Sequence, residues 1–185
     1  MKKFSELIDE IKPAADYRAR AANNSWVGII IHHTGLGKDI PADETAWEKF
    51  SNAMAHWLSL KDNTFVSAHF TIQRDGDIIQ HLDPDIHVAF HAGASSYFHP
   101  KYRSLKSGWN EYAIGIELVG DGNRVDYSDI QYKECAALVR QLLEKYASID
   151  PRCITGHENV SPGRKQDPGS RFNWRKFFKL IYLGG

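Results

Sequence analysis

The chain has 185 residues, which corresponds to about one domain, and 42% hydrophobic with 25% charged residues is typical of an ordinary globular protein. Lys+Arg and Asp+Glu both number 23, and this zero net charge argues against a general nucleic-acid-binding protein. Two cysteines are too few for a disulfide scaffold, and no apolar run approaches the ~20 residues of a membrane span. The residues after Met1 lack the apolar core of a signal peptide, so we expect none.

The first predicted elements are a helix, a strand and a second helix. Apolar residues recur at helical spacing over residues 4–11, so residues 1–25 are predicted to form an N-terminal helical extension. A continuous apolar run over 26–31 predicts a strand that is buried on both faces. Apolar spacing over 43–60 predicts the second helix.

Short strands are predicted in the middle of the chain. Asp75-Gly76 is a tight-turn signal between two apolar runs, so residues 70–81 are predicted to form a β-hairpin. Short apolar runs predict further strands over 88–90 and 112–119. Residues 94–109 show no periodicity and are predicted to form a long loop, a kind of segment that is often functional.

The C-terminal third predicts two helices around a short strand. Ser128 and Gln131 match a capping box at the start of one helix, and the other begins near Asn173. Residues 153–155 are predicted to form the strand between them. Strands mixed with at least three helices indicate a single α/β domain with a central mixed β-sheet flanked by helices, which we place over residues 26–185.

Histidine and aspartate residues at predicted strand ends are candidate metal ligands. His32 ends one strand, His157 follows another, and Asp167 lies in the loop beyond it. α/β sheets place their sites at such ends, and three protein ligands with an open fourth position form a catalytic metal site. A lone histidine is more often a hydrogen-bonded core residue. His33 neighbours His32 on the strand, so only one of the two faces the site, and spacing does not choose between them.

Two charged residues and another histidine are candidates for chemistry. Glu117 interrupts an apolar strand, and a desolvated glutamate has a raised pKa that suits acid–base catalysis, unless it lies on a solvated face. Lys165 shares a face of an extended loop with Asp167, where it would stabilise an oxyanion, unless it is simply an exposed lysine. Two small residues follow His91 and let a ligand approach the backbone, so substrate contact and a structural role both stay open for His91.

Five short motifs, taken in order, resemble the type 2 N-acetylmuramoyl-L-alanine amidases. This family includes phage lysozyme amidases, peptidoglycan recognition proteins and the cytoplasmic anhydro-muropeptide amidases of the AmpD type, to which the last motif is most similar. The motifs span roughly residues 27–178. They are Ile30-Ile31-His32-His33-Thr34, Ser67-Ala68-His69-Phe70-Thr71-Ile72 with Arg74-Asp75-Gly76, His91-Ala92-Gly93, Asn110 to Glu117, and Thr155-Gly156-His157-Glu158 with Pro162 to Gly169.

The resemblance implies a Zn²⁺ site and assigns roles to its residues. The zinc ligands would be His32, His157 and Asp167. Glu117 would be the catalytic base, because Ala68 stands where many relatives carry a tyrosine, and Lys165 would hold the oxyanion. The substrate-binding residues would be His91, Ala92, Gly93, Asn110 and Arg164. A stem-peptide carboxylate would be held by Lys101, Arg103 or Lys106, without a choice among them.

The function implied by the resemblance is zinc-dependent hydrolysis of the amide between N-acetylmuramic acid and L-alanine, in peptidoglycan or its muropeptide fragments. The alternative is a non-catalytic muropeptide-binding protein of the same fold. A recycling enzyme would be cytoplasmic, whereas a phage endolysin would reach the cell wall through a holin. We expect a monomer that binds peptidoglycan or muropeptide, and neither nucleic acid nor a membrane.

Overall fold

The computed structural model describes residues 4–14, 16–35 and 66–184, so the helix predicted over 43–60 lies outside the described residues. The described strands are β1 (Glu10–Ile11), β2 (Tyr17–Ala19), β3 (Gly28–His33), β4 (Phe70–Ile72), β5 (Ile78–Gln80), β6 (His87–Ala89), β7 (Ser96–His99), β8 (Ser104–Ser107), β9 (Ala113–Leu118) and β10 (Ile154–Gly156). The described helices are α1 (Phe4–Leu7), α2 (Asp129–Lys145), α3 (His157–Val160) and α4 (Trp174–Leu183). None of these helices has the length and hydropathy of a membrane-spanning helix.

Six strands form the main sheet, in the order β1-β5-β4-β9-β3-β10. Neighbours pair in parallel except for the antiparallel β4–β5 hairpin, so the sheet is mixed. The prediction of an α/β domain around a central mixed sheet is confirmed. Because β3, β9 and β10 run in parallel, their carboxyl ends meet at one edge of the sheet.

Both faces of the central strands are buried, as predicted for β3. Ile29 and Ile31 belong to the large core cluster that also contains Leu138 of α2 and Phe177 of α4. Ile30 points to the other face, where a smaller cluster surrounds the buried ring of Trp109. Alternation along β3 therefore places His32 on the same face as Ile30, away from the two long helices.

The capping box predicted for α2 is confirmed. The backbone N–H of Gln131 donates to the Ser128 hydroxyl, and the backbone N–H of Ser128 donates to the Gln131 side chain. The Gln131 side chain also donates to the carbonyl of Val119 at 3.0 Å, so the cap ties the helix to the chain that follows β9. The predicted start of the last helix is confirmed as well, with Asn173 as its N-cap.

The helix predicted over residues 4–11 is shorter than expected. It ends at Leu7, and residues 10–11 form β1 at the edge of the main sheet. The backbone N–H of Lys12 donates to the carbonyl of Gln80 at 2.9 Å, so pairing with an open sheet edge replaces further helical turns. Residues 17–19 pair with β6. The first 25 residues are therefore not wholly helical, while the boundary at residue 25 stays a prediction.

The long loop predicted over residues 94–109 is also wrong in part, because it contains the β7–β8 hairpin. Ser96 pairs with Ser107 and His99 with Ser104. The rings of Tyr97 and Trp109 pack edge to face with 5.4 Å between ring centroids. Each strand has only four residues and few apolar positions, so the period-two pattern is too short to stand out in the sequence.

A buried histidine makes the fold sensitive to acid. His81 Nδ1–H donates to the carbonyl of Lys12 at 2.8 Å, and Nε2 accepts from the Thr71 hydroxyl at 2.9 Å. Burial lowers the pKa of His81 to about 4, from 6.5 in an unfolded chain. The folded protein therefore binds this proton only at a lower pH than the unfolded chain does. The neutral ring stabilises the fold fully above pH 6.5, and this stabilisation is lost as the pH falls towards 4.

We predict that His81→Gln flattens this dependence. Glutamine offers a donor and an acceptor but does not titrate, so the free energy of unfolding should fall less steeply between pH 6.5 and 4, by up to about 1.4 kcal/mol per pH unit. Urea unfolding at a series of pH values, at constant ionic strength, measures this slope. Equal slopes in the two proteins would contradict the prediction.

Candidate active site

Three side chains converge at the carboxyl edge of the parallel strands. His32 lies near the end of β3, and His157 is the first residue of α3, directly after β10. Asp167 comes from the following loop, where the backbone N–H of Glu158 donates to its carbonyl at 2.9 Å. A Cβ at position 156 would lie 2.7 Å from Pro168 Cδ, so glycine there lets the loop return against β10.

The donor atoms of these residues form a nearly equilateral triangle. His32 Nδ1 and His157 Nδ1 are 3.0 Å apart, and each lies 2.9 Å from Asp167 Oδ2. Tetrahedral zinc, with bonds of about 2.0–2.1 Å, separates its ligands by about 3.3 Å, close to these distances. All three side chains are buried. Two imidazole nitrogens and one carboxylate oxygen in this arrangement fit a divalent metal ion.

The electrostatics of the triangle favour metal-binding protonation states. Burial lowers the pKa of His32 to about 4, so this ring is neutral at neutral pH. Burial opposes ionisation of Asp167, but the two imidazoles at its carboxylate outweigh burial and hold the pKa of Asp167 far below its ordinary value. Neutral histidine and ionised aspartate are the forms that coordinate metals.

The choice between His32 and His33 is settled by the register of β3. His33 Nδ1 accepts from the backbone N–H of Gly122 at 3.0 Å and lies 3.8 Å from a carboxylate oxygen of Asp121. His33 thus contributes no donor atom to the triangle, whereas His32 contributes one.

Glu117 lies beside the triangle on the same face of the sheet. It is directly paired with His32 across β9 and β3, and paired residues point to the same side. Burial and then the negative charge of Asp167 raise the pKa of Glu117 to about 8, while the positive charge of Lys165 opposes this shift. Glu117 Oε2 is buried without a hydrogen-bond partner among the described residues. The carboxyl group is therefore poised to exchange a proton near neutral pH.

A cavity of about 300 Å³ opens above these groups. It is lined by His32, His33, Thr34, Gly35, Val66, His91, Glu117, His157, Lys165 and Asp167. Both residues predicted to be catalytic and all three predicted ligands thus share one cavity. A larger hollow of about 760 Å³ lies near the opposite end of β3, around Val27. Its lining includes Lys101, one of the three candidates for a stem-peptide carboxylate, but no predicted ligand or catalytic residue.

Of the five residues predicted to bind substrate, four form one hydrogen-bonded group next to the ligands, and Gly93 lies beside Arg164. The Asn110 side chain accepts from the backbone N–H groups of His91 and Ala92 at 3.1 and 2.6 Å. Arg164 Nη2 donates to the carbonyl of Ala92 at 2.6 Å. Gly93 has φ +55°, and a Cβ there would lie 3.3 Å from Arg164 Nη2. Arg164 stays exposed, and substrate binding by this group stays a prediction.

Two positions that matter to the site were not identified from the sequence. The Tyr127 hydroxyl donates to the carbonyl of Pro168 at 2.6 Å and so holds the loop that carries Asp167. The ring of His91 lies so close to Gly115 that a Cβ there would be 2.5 Å from ring atom Cγ. A glycine inside an apolar strand signals such a close approach, whereas the Tyr127 contact spans 41 residues and leaves no local pattern.

Comparison with known sequences agrees with this geometry. The sequence profile of the N-acetylmuramoyl-L-alanine amidase family matches residues 22–170. The chain belongs to this family. The 1,6-anhydro-N-acetylmuramyl-L-alanine amidase AmpD of Salmonella typhimurium is 42% identical over 118 residues, which cover 64% of this chain and 58% of that protein. The AmpD of Escherichia coli is 40% identical over 116 residues, with 63% and 58% coverage. This amidase-family chain thus spans less than two thirds of the length of these relatives.

Solved structures of amidases share the fold. A selenomethionine AmpD derivative superimposes with a TM-score of 0.70 at 32% identity, over 93% of each chain. The amidase AmiD of Escherichia coli, solved with anhydro-N-acetylmuramic acid-L-Ala-D-γ-Glu-L-Lys, gives a TM-score of 0.59 at 21% identity, over 86% of this chain and 60% of that one. At that identity, the second comparison supports the fold alone.

We predict that the protein binds one divalent metal ion per chain at the triangle. His157→Ala should abolish stoichiometric binding, because it removes one of three ligands. His33→Ala is the matched control and should keep the metal, since its ring is bonded elsewhere. Elemental analysis of the dialysed proteins measures the stoichiometry, and full occupancy in His157→Ala would rule out this ligand set.

Proposed function

We propose that the protein is a zinc-dependent N-acetylmuramoyl-L-alanine amidase, which hydrolyses the amide between N-acetylmuramic acid and L-alanine. The observation that carries the proposal is the triangle of His32, His157 and Asp167 beside the buried oxygen of Glu117. A metal site with an adjacent carboxylic acid is the combination that amide hydrolysis by water requires. Membership of the amidase family supports this reaction class.

Zinc is the metal that these donors favour. Imidazole nitrogen suits zinc, whereas magnesium and calcium prefer all-oxygen sites. When bound, zinc supplies a Lewis acid that polarises the amide carbonyl and lowers the pKa of water towards ~7. The three ligands leave the cavity side open for substrate, as in catalytic rather than structural sites.

Glu117 is the proposed general base and then general acid. Its carboxylate takes a proton from the attacking water, and the same oxygen returns that proton to the amide nitrogen as the C–N bond breaks. The leaving amino group of L-alanine is a poor leaving group without this proton. The unpartnered Oε2 and a pKa of about 8 suit a group that changes protonation twice in each turnover.

Lys165 is the proposed partner of the developing negative charge. It lines the same cavity as Glu117, and its charge already acts on the Glu117 carboxyl. As water adds to the carbonyl carbon, charge accumulates on the carbonyl oxygen, and an ammonium group there stabilises the transition state more than the ground state.

The proposed substrate is a soluble anhydro-muropeptide rather than intact peptidoglycan. The AmpD relatives at 40–42% identity carry the name 1,6-anhydro-N-acetylmuramyl-L-alanine amidase. A recycling role would place the protein in the cytoplasm, whereas a phage endolysin would act on the cell wall. The proposed contact region for the substrate is formed by Ala92, Gly93, Asn110 and Arg164, because Arg164 is exposed and its Nη2 lies 3.3 Å from Nε2 of the ligand His157.

Mass spectrometry of reaction products tests this function. The zinc-loaded protein is incubated in parallel with soluble anhydro-muropeptide and with intact sacculi. We expect free stem peptide and the separated sugar from the soluble substrate, at a much higher rate than from sacculi. Preferential release from sacculi would indicate an endolysin instead. Binding of muropeptide without any product would indicate the non-catalytic alternative and overturn the proposal.

We predict that Glu117→Gln separates catalysis from binding. The amide has the same shape as the carboxyl group but cannot accept the proton, so kcat should fall by about 10²–10⁴. Zinc content and muropeptide affinity should stay unchanged, because Glu117 is not among the proposed ligands. Steady-state kinetics, elemental analysis and calorimetry measure these three quantities.

Two outcomes would contradict the assigned role of Glu117. Turnover near the wild-type rate with zinc retained would mean that another group is the base. Loss of zinc would mean that Glu117 helps to hold the metal.

In the wild-type protein, the acidic limb of the pH–rate profile should lie above the ~4.3 of a free glutamate, because burial raises the pKa of this carboxyl.

A further inference from the structure

The ring of His91 lies between Nε2 of His32 and the backbone of strand β9. His91 Nδ1 lies 3.0 Å from His32 Nε2, which is the nitrogen that faces away from the ligand triangle. His91 Nε2 lies 3.0 Å from the carbonyl oxygen of Ala113. Both ring nitrogens of His91 are therefore engaged inside the protein, and the His91 side chain is buried.

The hydrogen-bond chain fixes where each proton lies. A carbonyl oxygen only accepts, so His91 Nε2 carries the proton that is donated to Ala113. A neutral imidazole carries a single proton, so with Nε2 protonated the Nδ1 of His91 is a bare acceptor. That acceptor requires the proton of His32 on Nε2. His32 Nδ1 is then left as a bare lone pair directed into the triangle.

A second carbonyl performs the same task for His157. Its Nε2 lies 3.1 Å from the oxygen of Ala92, the residue next to His91, and at a longer 3.3 Å from Arg164 Nη2, so the carbonyl is its nearer partner. Donation to this carbonyl leaves His157 Nδ1 bare as well. Two bare nitrogens and a carboxylate oxygen then surround the position that a metal ion would take.

Gly115 makes room for the His91 ring. A Cβ at this position would lie 2.5 Å from Cγ and 2.7 Å from Cδ2 of His91. Gly115 lies in the middle of the buried strand β9, where glycine is otherwise unfavourable because it packs no side chain. The close approach brings the imidazole onto the strand and within hydrogen-bonding distance of Ala113.

We propose that His91 is a positioning residue, held by Gly115 and the Ala113 carbonyl, that keeps His32 in the tautomer able to bind the metal. This inference deepens the proposed function, since it rests on the same ligand triangle. It assigns to His91 a role in metal affinity rather than direct contact with the substrate. Without His91, His32 can move its proton to Nδ1, donate to Asp167 and lose its lone pair to the metal.

Nitrogen NMR of the metal-free protein tests the tautomers directly. In the wild-type protein, long-range ¹⁵N–¹H spectra should show protonated Nε2 and bare Nδ1 for both His32 and His157. In His91→Phe, which keeps a ring on Gly115, His32 should shift towards the Nδ1–H form. His157 should not change, because its Nε2 is bonded to the Ala92 carbonyl, and it serves as an internal control. An unchanged His32 tautomer would overturn the inference.

Zinc affinity provides the second measurement. Competition with a chromophoric chelator should show a dissociation constant about 10–100-fold higher in His91→Phe, the usual effect of removing a partner of a metal-bound histidine. His81→Phe is the matched control, because His81 is also a buried, doubly bonded ring but lies outside the cluster. An unchanged affinity in His91→Phe, or an equal loss in His81→Phe, would overturn the inference.

A second variant, in which no histidine is changed, tests the inference if His91→Phe folds poorly. Gly115→Ala should displace the His91 ring through the added Cβ and weaken zinc in the same direction. If the wild-type protein binds no zinc, the proposed function fails, while the tautomer comparison in the metal-free proteins still decides the role of His91.

Discussion

Parallel pairing of β3 with β9 is the constraint on which the site depends. The register sets His32 beside Glu117, so a metal ligand and the proposed base project from neighbouring strands on one face. Because side chains alternate along a strand, a slip of β3 by one residue would bring His33 to that face instead of His32. The large apolar cluster under the other face fixes this register, since Ile31 and Ile116 must both reach it.

Two carboxyl groups share the cavity but hold their protons very differently. Asp167 faces two imidazole nitrogens and stays ionised, whereas Glu117 faces a buried environment and the charge of Asp167. Two carboxyl groups close together in a small buried space do not both ionise readily, and the one in the less polar surroundings keeps its proton. The pair thus supplies a permanent anion for a metal and a titrating group for proton transfer, with no difference in functional-group chemistry.

The features that sequence predicted correctly are those with local causes. A continuous apolar run identified β3 as a strand buried on both faces, and the Ser128 capping box marked the start of α2. The β7–β8 hairpin was missed because its own strands carry little apolar pattern. The edge strand β1 was missed because only two residues pair, and their partner β5 lies far along the chain. Motif order indicated the ligand set, but His32 could be separated from His33 only by the resemblance and then by the register. The bonds of His91 depend on atoms 22 and 59 residues away, beyond any sequence window.

The loop that carries Asp167 is bonded to two other segments, and this couples metal binding to folding. The carbonyl of Asp167 accepts a hydrogen bond from the backbone N–H of Glu158. The carbonyl of Pro168 accepts one from the hydroxyl of Tyr127, which lies just before α2. A cation in the triangle would therefore cross-link β3 to the start of α3 and to this loop, whose ligands lie 125 and 135 residues further along the chain than His32. An unfolded chain cannot offer that geometry, so metal binding adds its free energy to folding, by an amount that grows with the logarithm of the metal concentration. The thermal unfolding midpoint of this protein then rises with the concentration of free metal ion in solution.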